Sequence, residues 1–164
     1  MKYLLFLLAF SAVILSSCSG NTQQPVEIGA VANDSTTLIF PMGLKASAEK
    51  FIGTAYVNEL LPKSDSTAYA VADVVFEPGA RNNWHTHQVR QTMFVTAGHG
   101  WYQERGKKAV PLKKGDVYVI PAGVEHWHGA AADSRFVHLV VTDFQGEECV
   151  IWGEPVTDEE YNNL

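Results

Sequence analysis

The chain has 164 residues, a formal net charge of −6 and 46% hydrophobic residues. That length suits one domain, and the balance of apolar to charged residues argues against a disordered chain. The mildly acidic balance also argues against a nucleic-acid partner, because phosphates are met by a basic face. The clustered cations Lys107, Lys108, Lys113 and Lys114 read as solvated side chains around a turn.

The N-terminus reads as a processing signal rather than as part of the fold. Lys2 precedes an apolar run from Leu4 to Leu15, followed by Ser16-Ser17-Cys18. This is a charged segment, a short hydrophobic segment and small residues before a cysteine. The run falls short of the roughly 20 residues that span a bilayer. Leu15-Ser16-Ser17-Cys18 resembles the bacterial lipobox, which implies a signal peptide over 1–17, cleavage before Cys18 and lipidation of its thiol. Cys149 is then the one thiol left, so no intramolecular disulfide is expected. It sits in the apolar run Cys149-Val150-Ile151-Trp152 and reads as a small buried residue. Residues 18–36 are small and polar and read as a flexible tether that holds the remaining domain, residues 37–164, off the membrane.

From Leu38 onward the pattern is β. Strands are predicted at Ala55–Leu61, Thr67–Phe76, Gln91–Thr96, Gly100–Glu104, Ala109–Leu112, Asp116–Ile120, Phe136–Val141 and Cys149–Trp152. Turn signals separate them at Glu77-Pro78-Gly79, Ala97-Gly98-His99-Gly100, Arg105-Gly106-Lys107 and Pro121-Ala122-Gly123. Thr157-Asp158-Glu159-Glu160 reads as the start of one C-terminal helical turn. Many short strands at regular spacing predict an all-β barrel or sandwich.

Histidines carry the chemistry. His85-Thr86-His87 places two imidazoles at i and i+2, on one face of a strand, and Gln91 stands four residues later. His126 and His128 repeat the spacing about forty residues on. If the strands close into a barrel, the two pairs converge inside it. Imidazole suits Zn, Cu, Fe and Ni, and an oxygen ligand adds Mn. His99, in a glycine-flanked turn, reads as exposed.

These residues fall in a pattern that resembles the cupins. Gly79-x5-His85-x-His87-x3-Gln91-x6-Gly98 is similar to the first cupin motif, with Gln91 where Glu is usual. Gly115-x5-Pro121-x-Gly123-x2-His126 is similar to the second, with Ala130 in place of a trailing Asn. Phe76 to Arg81, His126 to Ala130 and Val156 to Glu159 further resemble one small-cupin subfamily, that of the bacterial cupin hydroxynitrile lyases and the carboxymuconolactone-decarboxylase-associated cupins. The resemblance implies an all-β, jelly-roll barrel and a divalent metal held by three His and one Gln, falling here on His85, His87, Gln91 and His126. It implies manganese first, with iron or zinc as alternatives. It further implies that His128 and His138 act beside the metal. Asn82 falls where the lyases often carry a small hydroxyl residue, and Thr142 where they carry Gln.

A site of four neutral ligands leaves a divalent ion its full charge, which favours Lewis-acid chemistry on an oxygen. The first functional reading is therefore a lyase acting on a small carbonyl or hydroxy compound, with His128 or His138 moving the proton. A second is an iron- or manganese-dependent dioxygenase, and a third a non-catalytic module that binds a small ligand or a metal. Pocket walls are expected from Ala70, Ala72, Val74 and Phe76 on one strand, with Met93, Val95 and Trp127 as others and Asn82 and Thr142 as polar positions. The family implies a homodimer. Ser19 after Cys18 favours attachment to the outer membrane, facing the periplasm.

Overall fold

The computed structural model describes residues 37–64, 67–143 and 150–164. The expected signal peptide and tether, with Cys18, and also Cys149 lie outside these residues. The described chain forms β1 (Leu44–Lys45), β2 (Phe51–Ile52), β3 (Ala55–Leu61), β4 (Tyr69–Phe76), β5 (Arg81–Asn82), β6 (His85–His87), β7 (Gln91–Glu104), β8 (Val110–Lys113), β9 (Val117–Ile120), β10 (Glu125–Ala130), β11 (Phe136–Asp143), β12 (Val150–Trp152) and α1 (Asp158–Asn162).

All strand pairings are antiparallel. One sheet runs β1-β3-β4-β11-β7-β9. In the other, β10 lies between β7 on one side and β5 and β6 on the other. There β5 pairs β2, β6 pairs β12 and β8 pairs β7. The two sheets curl around a common interior and share β7, so this is the all-β jelly-roll barrel the sequence predicts.

The sharing of β7 corrects the sequence reading, which divides it at Ala97-Gly98-His99-Gly100. The chain stays in one strand of 14 residues and bends instead. Gly98 has φ +65, and a Cβ there would lie 1.7 Å from the carbonyl oxygen of Arg135. The partner β11 slips register between Val137 and His138 at the same level. The glycine thus lets β7 leave one sheet and enter the other without breaking its ladder.

Alternation along the strands sorts side chains into three groups. Val74, Phe76, Met93, Val95, Tyr102, Phe136 and Val140 fill the barrel interior. Val75, Ala97 and Val137 pack outside the first sheet, under Leu38 and Tyr56. Trp84, Trp127 and Val156 pack outside the second, with Trp101 and Tyr161.

The C-terminal segment closes that third group. A capping box starts α1, with Thr157 and Glu160 each bonding the other's backbone N–H. Buried Arg81 donates from Nε and Nη2 to the carbonyl of Val156, at 3.1 and 2.9 Å, and pairs with Asp158 at 2.6 Å. The Tyr161 hydroxyl donates to the Ala130 carbonyl at 2.7 Å. Arg105 lies 3.7 Å over the Trp84 ring while pairing with Glu125, Glu154 and Glu160. Among the described residues no helix is long and apolar enough to cross a membrane.

Candidate metal centre

Strands β6 and β10 run side by side with His85 opposite His126. Because side chains alternate, His85, His87, His126 and His128 all face the interior, and Thr86, Glu125 and Trp127 face away. Ring centroids of His85 and His126 are 4.2 Å apart, those of His85 and His87 5.0 Å, and those of His87 and His126 5.5 Å. Gln91 opens β7 opposite Thr142 of β11 and is buried.

The hydrogen bonds of these residues leave their lone pairs aimed inward. His85 Nδ1 donates to the carbonyl of Asn83, and His126 Nδ1 to that of Val124, each at 2.9 Å. That fixes both rings in the tautomer whose Nε2 carries a lone pair. Gln91 Nε2 donates to Thr142 Oγ1 at 3.1 Å, which turns its Oε1 the other way. Gln91 Oε1, His126 Nε2 and both ring nitrogens of His87 are buried and have no hydrogen-bond partner. Buried polar atoms are normally paired, and imidazole nitrogens with an amide oxygen are the donors a divalent ion takes. The donor set therefore fits the metal, with the outer hydrogen bonds that metal-binding histidines use already in place.

The ring nitrogens of His85, His126 and His128 lie within 4.8 Å of one another and form a second possible trio. His85 and His126 belong to both sets. The sets differ in whether His128, or His87 with Gln91, completes the cage. Hydrogen bonding separates them. Asn82 Nδ2 donates to His128 Nε2 at 3.0 Å, and Asn82 Oδ1 accepts from the His128 backbone N–H at 3.0 Å. One lone pair of His128 is thus already engaged, while His87 and Gln91 keep theirs unpaired.

His138 stands next to His128, its ring centroid 4.8 Å away and edge-on. It is sandwiched by Phe76 and Phe136, and neither of its nitrogens has a partner. Burial lowers the pKa of every histidine in the group. It is pushed down to about 3 at His87 and His138 and to about 4 at His126, and well below the ordinary value at His85 and His128. At His87 the nearby charges of His126 and Lys63 add to burial. All five imidazoles are neutral near pH 7, as metal binding requires.

A cavity of ≈360 Å³ opens onto this cluster and is lined by His87, Thr142, Ala70, Ala72, Val140 and Val150, among others. The positions expected in the pocket divide. Ala72 and Thr142 line the cavity. Asn82 lies deeper, on His128. Val74 and Met93 are packed into the filled part of the barrel. Trp127 is a correction: the alternation that turns its two histidine neighbours inward turns Trp127 outward, onto Val156 and Tyr161. Its Nε1 donates to Gln103 Oε1 at 2.9 Å.

Two other features are absent from the sequence reading. Trp152 stacks on His85, with centroids 4.9 Å apart, because the two sit opposite each other in the β12–β6 pair. The cavity rim comes from the end of β3 and the first residues beyond that strand, Glu59 to Lys63. The alternation Val57, Glu59, Leu61 is the signal that could have found it. His99 is exposed and faces Asp133, as expected for a turn residue.

Over residues 72–142 the chain matches the cupin domain family. An (R)-mandelonitrile lyase of Granulicella tundricola is 43% identical over 117 residues, which cover 71% of this chain and 89% of that one. The chain belongs to the cupin family. A solved cupin-like protein of Thermotoga maritima is 45% identical to this cupin and superposes with a TM-score of 0.75. That match covers 77% of this chain and 96% of the other. A DMSP lyase of Ruegeria pomeroyi, at 21% identity and a TM-score of 0.55, covers 69% of this cupin and 58% of its own chain. At that distance the likeness concerns the fold alone.

Proposed function

We propose that this cupin is a metal-dependent lyase that splits a small cyanohydrin into a carbonyl compound and hydrogen cyanide. The observation that carries the reading is the set of buried, unpartnered lone pairs on His87, Gln91 and His126, with His85 held in the matching tautomer. The similarity to a mandelonitrile lyase supplies the reaction class. We assign His85, His87, Gln91 and His126 as the ligands, with manganese as the first candidate and iron or zinc after it. A divalent ion there would act as a Lewis acid on the substrate oxygen.

The chain's own residues would do the rest. Inward-facing positions of β11 run Thr142, Val140, His138, so His138 is the next residue inward from the cavity wall. Neutral His138 takes the hydroxyl proton as the carbon–cyanide bond breaks. The electron pair of that bond leaves with cyanide, and the hydroxyl oxygen becomes the carbonyl. Burial makes the imidazolium a strong acid, so it readily returns the proton to cyanide. His128, oriented by Asn82, faces His138 edge-on and holds it in place.

The direct test is benzaldehyde release from mandelonitrile by the manganese-loaded chain. Turnover that disappears in His138→Ala with metal retained supports the reading, and undiminished turnover in that variant overturns the assignment of His138. Oxygen consumption by an iron-loaded chain would replace the lyase with the dioxygenase reading, and ligand binding without turnover would leave a binding module. We also propose that the cupin acts as an envelope lipoprotein anchored through Cys18, and as a homodimer. Palmitate labelling lost in Cys18→Ala, and the mass in solution, check these two points.

A further inference from the structure

We infer that Trp152 is a positioning residue of the metal centre: its indole fixes the plane of the His85 imidazole and strengthens that ligand's hold on a divalent ion. This role rests on reading His85, His87, Gln91 and His126 as the ligands. Trp152 itself would donate no atom to the ion.

The geometry comes from an edge strand. Among the described residues β12 pairs only with β6, and it sets Trp152 opposite His85 and Val150 opposite His87. Alternation turns Val150 and Trp152 toward the site and leaves Ile151 exposed. Four rings among the described residues meet the His85 imidazole. Those of His87, His126 and His128 are tilted or edge-on to it. Trp152 is the one that stacks, with centroids 4.9 Å apart and planes 27° from parallel. The hydrogen bond from His85 Nδ1 to the Asn83 carbonyl holds one edge of the ring, and the stacked indole restrains its tilt as well. The indole is itself held by Phe51, with centroids 5.9 Å apart, and by the Lys50 ammonium, 5.4 Å from the ring centre.

The stack is worth more with the ion than without it. A neutral imidazole and an indole attract weakly, as offset aromatic rings do. A divalent ion on Nε2 draws electron density from the imidazole. A ring made more positive is held more firmly on the electron-rich indole face. Trp152 therefore favours the metal-bound state, beyond the packing it gives the metal-free one.

The test is zinc affinity of the full chain, read by competition with a metal-sensitive dye. Trp152→Leu keeps apolar bulk but removes the π face, and should weaken binding by about tenfold. Trp152→Phe should recover most of that loss. A third sample keeps the native sequence but carries 5-fluorotryptophan, which leaves the shape almost unchanged and makes the indole face less negative. Trp84, Trp101 and Trp127 pack outside the second sheet, so the label acts on the ligands through Trp152. It should weaken zinc binding by about twofold, the size of a weak cation–π contact, a change that a purely space-filling role would not produce. Native affinity in Trp152→Leu, or in the fluorinated chain, overturns the inference and leaves the ligand set standing. If Trp152→Leu does not fold, the fluorinated chain decides alone. A native chain that binds no zinc removes the ligand set and the role of Trp152 together.

Discussion

The two sides of β10 are built on opposite rules. On the outer side, Trp127, Arg81 and Tyr161 each find a partner, so the C-terminal segment is sealed against the sheet. On the inner side, one pleat away, His126 keeps an unpartnered nitrogen, and His87 and Gln91 across from it do the same. Both sides are buried, so burial alone does not mark the site. Satisfaction does: a buried polar group left without a partner costs roughly 1–3 kcal/mol, and a cluster of them persists where a ligand supplies the missing bonds.

That contrast predicts different consequences for neighbouring residues. The largest effect should come from the outer side. Trp127→Ala should lower stability by about 3–5 kcal/mol, as loss of a buried aromatic does, while the folded fraction still binds metal normally. Urea unfolding with parallel metal analysis checks this. On the inner side, His126→Ala should reverse the pattern, weakening metal binding by more than about 100-fold with little change in the stability of the metal-free protein. If the two substitutions had the same profile, the distinction between the sides would be lost.

Acid sharpens the comparison, because the inner histidines titrate and the outer residues do not. Each has a folded-state pKa below its unfolded value of 6.5. Each therefore contributes stability that is full above pH 6.5 and is lost as pH falls toward 4. The slope is about 1.4 kcal/mol per pH unit for each histidine. In metal-free protein, His138→Leu should flatten the loss between pH 6 and 4 by about that amount, read from unfolding midpoints. Asp73, on the outer face of β4, works the other way. Burial raises its carboxyl from 3.8 to about 6, so its contribution is full below pH 3.8 and is lost as pH rises through 6. Asp73→Asn should accordingly steepen the acid loss.

The smallest effect should come from the residue that aims a ligand without touching the ion. Thr142→Ala removes the hydrogen bond that turns the Gln91 amide, and should weaken metal binding by about tenfold. Thr142→Ser, which keeps the hydroxyl, should restore most of it, read by competition with a metal-sensitive dye.

Much of the inner side is legible in the sequence, because it rests on short-range spacing. His85-x-His87 and His126-x-His128 declare a shared face wherever the backbone is extended, and the glycines at 115 and 123 mark turns between them. Trp127 is misplaced by its bulk, which suggests a pocket wall, although the spacing that joins His126 to His128 already turns it outward. The two-residue strands β1, β2 and β5 escape a sequence reading, since two residues carry no periodicity. Asn82 on His128, Thr142 on Gln91 and Trp152 on His85 depend on strand register, which sequence spacing does not supply.

Metal content distinguishes the two possible ligand sets. Purified His87→Ala and His128→Ala chains, loaded with manganese and dialysed beside the native chain, should differ. About one ion per chain is expected in the native protein and in His128→Ala, and a large loss in His87→Ala. Loss in His128→Ala with metal retained in His87→Ala would contradict it and move the ion to the trio of His85, His126 and His128.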